Sequence, residues 1–245
     1  AMGETADMSG ECASRTNLEM PDVQQELLAE LAKTGKPVVL LNFAGRPTVL
    51  SWENEHIPAI MNVWFGGSEV GDALCDIIFG DKVPSGKLTT SMPKTTGQEP
   101  LYYNHQNTGR PVPDDNQKFA KFASNCMDVS NGPLYPFGYG LSYTTFEYGD
   151  LKLSSHEVNM DDWKITATIN VKNTGSRDAD EVVQLYIRDM VASISRPVKE
   201  LKGFQRIHLA AGESREISFD ITPEMLKFYN AELKHVIEPG DFQIM

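Results

Sequence analysis

KPVVLLNFAG, Lys36 to Gly45, is the stretch on which the fold reading turns. After Pro37 it is almost unbroken apolar sequence, rich in Val and Leu, and it ends on a glycine. A strand buried on both faces, as in a parallel sheet, has this composition, whereas a strand with one wet face alternates. The flanks agree with it. Upstream, Asp22 is placed to cap a helix, Val23, Leu27, Leu28 and Leu31 recur at helical spacing, and Gly35 supplies the stop. Downstream, Gly45–Arg46–Pro47 turns the chain into a short β-branched piece, Thr48 to Leu50.

The pattern then repeats. AIMNVWFGG (59–67) reads as a second buried strand with glycines at its carboxyl end. SEVGDALCDIIFG (68–80) reads as a helix with Val70, Leu74, Ile77 and Ile78 on one face and Gly80 as the stop. PSGKLTTSMP (84–93) predicts one more short strand between prolines. Helix, strand, strand, helix, strand is an open α/β sheet, in which ligands bind at the carboxyl ends of the strands. Gly66–Gly67–Ser68–Glu69 sits at such an end. So does the polar, glycine-dotted opening loop GETADMSGECASRTNLEMP (3–21), if a strand runs into Gly3.

Between Glu99 and Gly140 periodicity disappears. A segment this long without elements of its own is usually functional or a linker. Its aromatics, Tyr102, Tyr103, Tyr135, Phe137, Tyr139 and Tyr143 just beyond, argue against disorder. LYPFGYGLSY reads as a rigid connector, and Trp64 reads as core.

From about Phe146 the period becomes two. WKITATINVKNTG carries Ile165, Ala167, Ile169 and Val171 on one side and turns at Asn173–Gly175. EVVQLYIRD and REISFDI alternate likewise, AAGES is a turn, and IEPGDFQIM leads into a last strand. Several short alternating strands with turns between them predict a β-sandwich. The boundary therefore falls between residues 1–145 and 146–245. The opening AMGE does not resemble a natural N-terminus, and the final strand stops abruptly, so the chain reads as truncated at both ends.

The 245 residues are 40% hydrophobic and 23% charged, with a formal net charge of -12. An acidic surface opposes nucleic acid and anionic membranes as partners, and a neutral substrate such as a sugar fits it without strain. The acidity also serves solubility by itself. No apolar run reaches the roughly 20 residues that a membrane span needs, and no signal peptide is present. The three cysteines, Cys12, Cys75 and Cys126, are far apart and show no CxxC spacing. They predict neither a zinc site nor a disulfide framework, but free thiols in or near the core. Asp161–Asp162 reads as a turn rather than a metal site. No GxSxG elbow and no strand followed by GxGxxG is present, so serine-hydrolase and dinucleotide readings fail.

Five motifs then occur in order: GETADMSGECASR, TGKPVVLLNFAGRP, WFGGSEVGDALCDIIFGDKVPSGKLTTSMP, YYNHQNTGRP and LYPFGYGLSYTTF. Together they resemble the C-terminal half of a glycoside hydrolase family 3 β-glucosidase of the bacterial periplasmic type, over essentially the whole chain. The resemblance implies a partial α/β sandwich, an open and mostly parallel sheet, followed by a fibronectin type III-like β-sandwich. It also implies a missing N-terminal TIM-type barrel that carries an aspartate nucleophile and most contacts to the first sugar. The position matching the family's acid/base glutamate is Glu11, in SGECASR. Periplasmic or secreted localisation follows from the resemblance alone, as does a parent enzyme that releases terminal β-D-glucosyl residues from oligosaccharides or β-glucosides. No cofactor or metal is implied.

Retaining hydrolysis needs two carboxyl groups roughly 5–5.5 Å apart, one attacking the anomeric carbon and the other protonating the departing oxygen. The acid must hold its proton when substrate binds, which burial or a neighbouring anion achieves. By residue type alone Glu11 is a solvated loop carboxylate; the resemblance makes it the general acid/base. Arg15 could pair with Glu4 or Glu11, and a pair with Glu11 would oppose the acid role. Arg15 is therefore expected to hold the loop through another partner or to touch substrate, and Glu4 to make a hydrogen bond within the loop. Tyr103, His105 and Arg110 mix aromatic faces with polar groups, as sugar sites do. They serve equally well as packing and an ion pair at an interdomain seam. Two other readings stand beside the enzyme: a non-catalytic carbohydrate-binding or scaffolding fragment, and a parent acting on β-xylosides.

Overall fold

The structure is a computed structural model that describes residues 1–117, 119–160 and 163–245. Asp161 and Asp162, read above as a turn, lie outside the described residues. The chain divides into two compact units. One comprises residues 1–74, 88–103 and 109–139, and the other residues 75–87, 104–108 and 140–245.

The first unit is built on a three-stranded parallel sheet in the order β1–β2–β3, with β1 Met2–Gly3, β2 Val39–Phe43 and β3 Ala59–Asn62. β2 lies in the middle, which is why its sequence is a near-continuous apolar run. Helix α1, Asp22–Lys33, starts one residue after Pro21, whose fixed φ suits a helix entry, and ends before Gly35 at φ +69°. Only Leu28 of its apolar stripe is buried; Val23 is 71% exposed, and Leu27 and Leu31 are exposed too. A second helix, α2 Ser51–His56, follows directly on the piece Thr48–Leu50 and was not foreseen in the sequence. Helix α3 spans Val70–Ile78 after the Gly66–Gly67 turn. The strand expected within residues 84–93 does not form. The segment instead touches the connector at two separate points, Leu88 with Gly138 and Tyr139, and Met92 with Leu134 and Tyr135, and the residues between them do not continue the ladder.

The core of this unit joins Met20, Leu28, Leu40, Leu50, Ile57 and Met92, with Trp64 packed against it as the sequence suggested. Each such buried side chain contributes about 1.5–3 kcal/mol relative to exposure. The sheet also carries polar groups. Asn42 on β2 is fully buried and donates to Thr48 Oγ1 at 2.9 Å and Asn62 Oδ1 at 2.8 Å. This pins the β2–α2 turn and β3 to one point.

Among its described residues the second unit contains two larger antiparallel sheets and a separate two-stranded hairpin. Strands β4 Phe146–Tyr148 and β5 Lys152–Leu153 pair one edge of β6 Ile165–Asn173. β7 Ala179–Asp189 and β8 Glu200–Leu209 form a long hairpin in the other sheet, and β9 Ser214–Ile221 pairs the far edge of β6. A one-turn helix α4, Pro223–Leu226, precedes a small hairpin of β10 Phe228–Tyr229 and β11 His235–Val236. β12 Phe242–Ile244 then closes on β7 as the expected last strand. Ala167, Val171, Val183, Leu185, Ile187, Ile207, Leu209 and Ile217 alternate inward and fill the space between the sheets. The mixed fold class read from the sequence is the one observed, an α/β unit with a parallel sheet and a β-sandwich.

The three cysteines are corrected. Cys12, Cys75 and Cys126 are free thiols but all are exposed, not in the core. Each lies on a loop or on the outward side of a short helix, positions that a residue scale of burial does not see. Among the described residues no group of three or more His, Cys, Asp or Glu side chains converges as a metal site would require. Among them, too, no helix is long and apolar enough to cross a membrane.

Candidate active-site loop

The loop that follows β1 is built from its base upward. Gly3 pairs with Phe43 of β2, and Glu4 N–H continues the ladder to Phe43 O at 2.8 Å. Gly3 has φ +136°, and a Cβ there would overlap the Phe43 carbonyl, so only glycine fits. On its other side the Gln24 side-chain amide of α1 accepts from Gly3 N at 2.7 Å and donates to Gly3 O at 3.0 Å. This amide copies the hydrogen bonding of a further strand at the open edge.

The Glu4 carboxylate then turns inward, its side chain only 2% exposed. Its Oε1 accepts from Arg15 Nη1 at 2.9 Å and Arg46 Nη1 at 3.0 Å, and its Oε2 from the Gly45 amide at 2.9 Å. Arg46 Nη2 also donates to Ala13 O at 2.7 Å, and Arg15 Nη2 to Glu19 O at 3.1 Å. Ser9 lies over Gly45, where a Cβ would overlap its hydroxyl.

Glu11 stands at the outer corner of the loop and is exposed. The Ala13 amide bonds to Gly10 O at 3.3 Å, which makes residues 10–13 a turn with Glu11 and Cys12 at its centre. Cys12 has φ +60°, an uncommon conformation for a side-chain-bearing residue that costs of order 1 kcal/mol. Gly10, at φ +137°, has open space around it.

Arg15 thus goes to Glu4, one of the two partners considered, and leaves Glu11 unpaired with it. The other sequence-selected residues are distributed. Tyr103 stacks on Phe137 with ring centroids 4.1 Å apart. Arg110 is exposed, and its carbonyl accepts from Ser124 N at 2.7 Å. His105 is exposed and belongs to the second unit, where its carbonyl accepts from Val198 N at 2.9 Å. The structure therefore brings Glu11 and Arg15 together on one loop. Arg46 was missed as a site residue because GRP reads locally as nothing more than a turn. The signal available was a cation at the carboxyl end of a central parallel strand. Beside it, Gly45, Arg46, Pro47, Trp64, Thr89 and Thr90 line an open concavity of about 320 Å3, with Trp64 held at φ +56°.

The chain belongs to glycosyl hydrolase family 3: the family's C-terminal domain matches residues 1–143, and a fibronectin type III-like domain matches residues 181–245. It is 49% identical to the periplasmic β-glucosidase of Salmonella typhimurium, over 99% of this chain and 31% of that protein. It is 41% identical to a β-xylosidase of Formosa agariphila, over 99% of this chain and 32% of the relative. Among solved structures, the β-glucosidase from Listeria innocua in complex with glucose superposes with a TM-score of 0.92 at 41% identity. That match covers 99% of this chain and 33% of the other. The chain thus spans about a third of the length of these relatives.

Proposed function

We propose that this chain is part of a retaining, exo-acting β-glucosidase that hydrolyses terminal non-reducing β-D-glucosyl residues, with Glu11 as its general acid/base. The observation that carries the reading is the Glu11 loop. A carboxylate stands at the corner of a turn, at the carboxyl end of a parallel strand, while the neighbouring arginines are engaged by Glu4. An acid/base group that must reach a sugar held elsewhere needs this exposure together with a fixed base. The nucleophile and the TIM-type barrel that would hold it lie outside these residues. In the docked enzyme Glu11 would give its proton to the departing glycosidic oxygen and later take one from water. Tyr103, His105 and Arg110 are the proposed sugar contacts, and Arg15 holds the loop. The proposed domains are residues 1–145 and 146–245, set by the change of strand period near Phe146. Periplasmic or secreted placement is supported by the relative named above.

The test is Glu11→Ala in the longer enzyme that contains this chain, assayed on an alkyl β-glucoside whose poor leaving group needs a proton. Activity should fall by about 10²–10⁴-fold, and an unchanged rate sinks the assignment. The chain alone should not turn over an aryl β-D-glucoside, since it lacks the nucleophile. Sugar binding to the chain alone, seen by calorimetry, would instead favour a carbohydrate-binding fragment. A β-xyloside-preferring parent is the second reading, supported by the 41% identity to a β-xylosidase. A comparison of kcat/KM on β-glucosides and β-xylosides decides between the two sugars.

A further inference from the structure

The Glu11 loop leaves the sheet at Glu4 and is gripped again at Ala13 and Arg15, and one side chain sits at the centre of both grips. We infer that Glu4 is the positioning residue of the loop: its buried carboxylate sets where the Glu11 carboxyl stands and so governs acid assistance without touching substrate. The inference rests on the assignment of Glu11 made above.

Three observations carry it. First, Glu4 joins both sides of the loop to the β2–α2 turn. Arg15, eleven residues later in the chain, binds its Oε1, the Gly45 amide binds its Oε2, and Arg46 bridges from that same Oε1 to Ala13 O. Ala13 is two residues from Glu11. Second, the grip is charge-assisted and shielded. The carboxylate is 2% exposed, and the two guanidinium groups are only 18% and 19% exposed, so each hydrogen bond is stronger than a neutral one in water. Third, among the described residues the holds between the anchors are local and uncharged: Met8 N donates to Thr5 O at 3.0 Å, and Ser9 lies against Gly45. Gly10 has no neighbour within 4 Å of a Cβ position, and residues 10–13 close through one backbone bond of 3.3 Å. The tip is therefore placed by its base. A purely structural carboxylate would stabilise the unit, whereas a positioning one changes how strongly the rate depends on the leaving group.

The variant Glu4→Gln tests this in the longer enzyme. Its amide NH2 must face either the two arginines or the Gly45 amide, all of which are donors. The expected result is a fall in kcat/KM of at least about tenfold on an alkyl β-glucoside, within the range of general acid catalysis. On 2,4-dinitrophenyl β-glucoside, which departs without a proton, the fall should be much smaller. Glu4→Asp, which keeps the charge, should recover part of the alkyl-glucoside rate. Amide exchange should quicken over residues 8–13 in Glu4→Gln. Equal losses on both substrates, or no loss on either, overturn the inference. If Glu4→Gln does not fold, Arg46→Lys serves, since it keeps the charge but loses the second contact to Ala13 O; the same split between substrates is expected. Glu11→Ala is measured alongside. An unchanged alkyl-glucoside rate in that variant overturns the acid/base assignment itself. A loss there with Glu4→Gln unaffected overturns only the role of Glu4.

Discussion

Lys87 Nζ stands 3.1 Å from the Glu181 carboxylate on β7, with the two side chains only 16% and 8% exposed. The same ammonium donates to Gly140 O at 2.9 Å, and the Tyr148 hydroxyl donates to Glu181 Oε1 at 3.0 Å. A loop, the connector and strands β4 and β7 of the second unit are thus tied to one ion pair. Removing one partner leaves the other charge shielded and uncompensated. Lys87→Met is expected to destabilise this unit by about 3 kcal/mol, read from urea unfolding. Lys87→Met combined with Glu181→Gln should recover part of that loss, because no lone charge remains.

Tyr148 reports on the same cluster at high pH. Burial, and next the Glu181 carboxylate, push its phenol well above the ordinary tyrosine range. An acid raised in the folded state contributes stability that is present below its ordinary value and lost as pH climbs past it. Stability should therefore decline above about pH 10, the ordinary tyrosine value. Tyr148→Phe should remove that part of the decline, and ultraviolet titration should show one tyrosine fewer resisting ionisation.

Glu53 on α2 is 1% exposed, and among the described residues its Oε1 has no hydrogen-bond partner. Desolvation raises its carboxyl, helped by Glu19 and opposed by its own backbone amide and by His56. The contribution is again present at low pH and lost as pH rises above the ordinary carboxylate range. Glu53→Gln should be more stable than the wild type at pH 7 by about 1 kcal/mol, and the difference should shrink toward pH 4. Paired thermal melts from pH 4 to 8 measure it; a gap that widens on acidification contradicts this account.

Gly3→Ala should cost about 2–3 kcal/mol in the first unit, because φ +136° is strained for alanine and the Cβ meets the fixed Phe43 carbonyl. Accelerated amide exchange at Glu4, which bonds to Phe43 O, is the specific signature.

All three cysteines should react with a thiol reagent in the native chain at rates near those of a denatured sample, since all are exposed and free. A thiol that reacts only after unfolding would restore the core placement expected from residue type.

Legibility in the sequence was uneven for identifiable reasons. β2 was plain because a central parallel strand is a continuous apolar run that few other elements imitate, and β3, at the edge of the described sheet, carries a similar run. β6, β7 and β9 were plain because one wet face imposes a period of two. Helix α2 was not read, since SWENEH is six residues long and shows less than two turns of periodicity. β8, Glu200–Leu209, was not read either; it carries Gly203 in its middle and leaves Phe204 66% exposed, which blurs the alternation.

The sequence by itself determined the class of each half, the order of the main elements and, through its ordered motifs, the family. These are properties of local period and of residue type at fixed spacing, which survive without three-dimensional context. Only the tertiary structure decided what Arg15, Arg46 and Glu4 do. Arg46 lies 42 residues from Glu4 in the chain, and its reach to Oε1 depends on β1 lying parallel beside β2. An ion pair is a matter of a few ångströms in space, and no spacing along the chain encodes that distance until the sheet has formed.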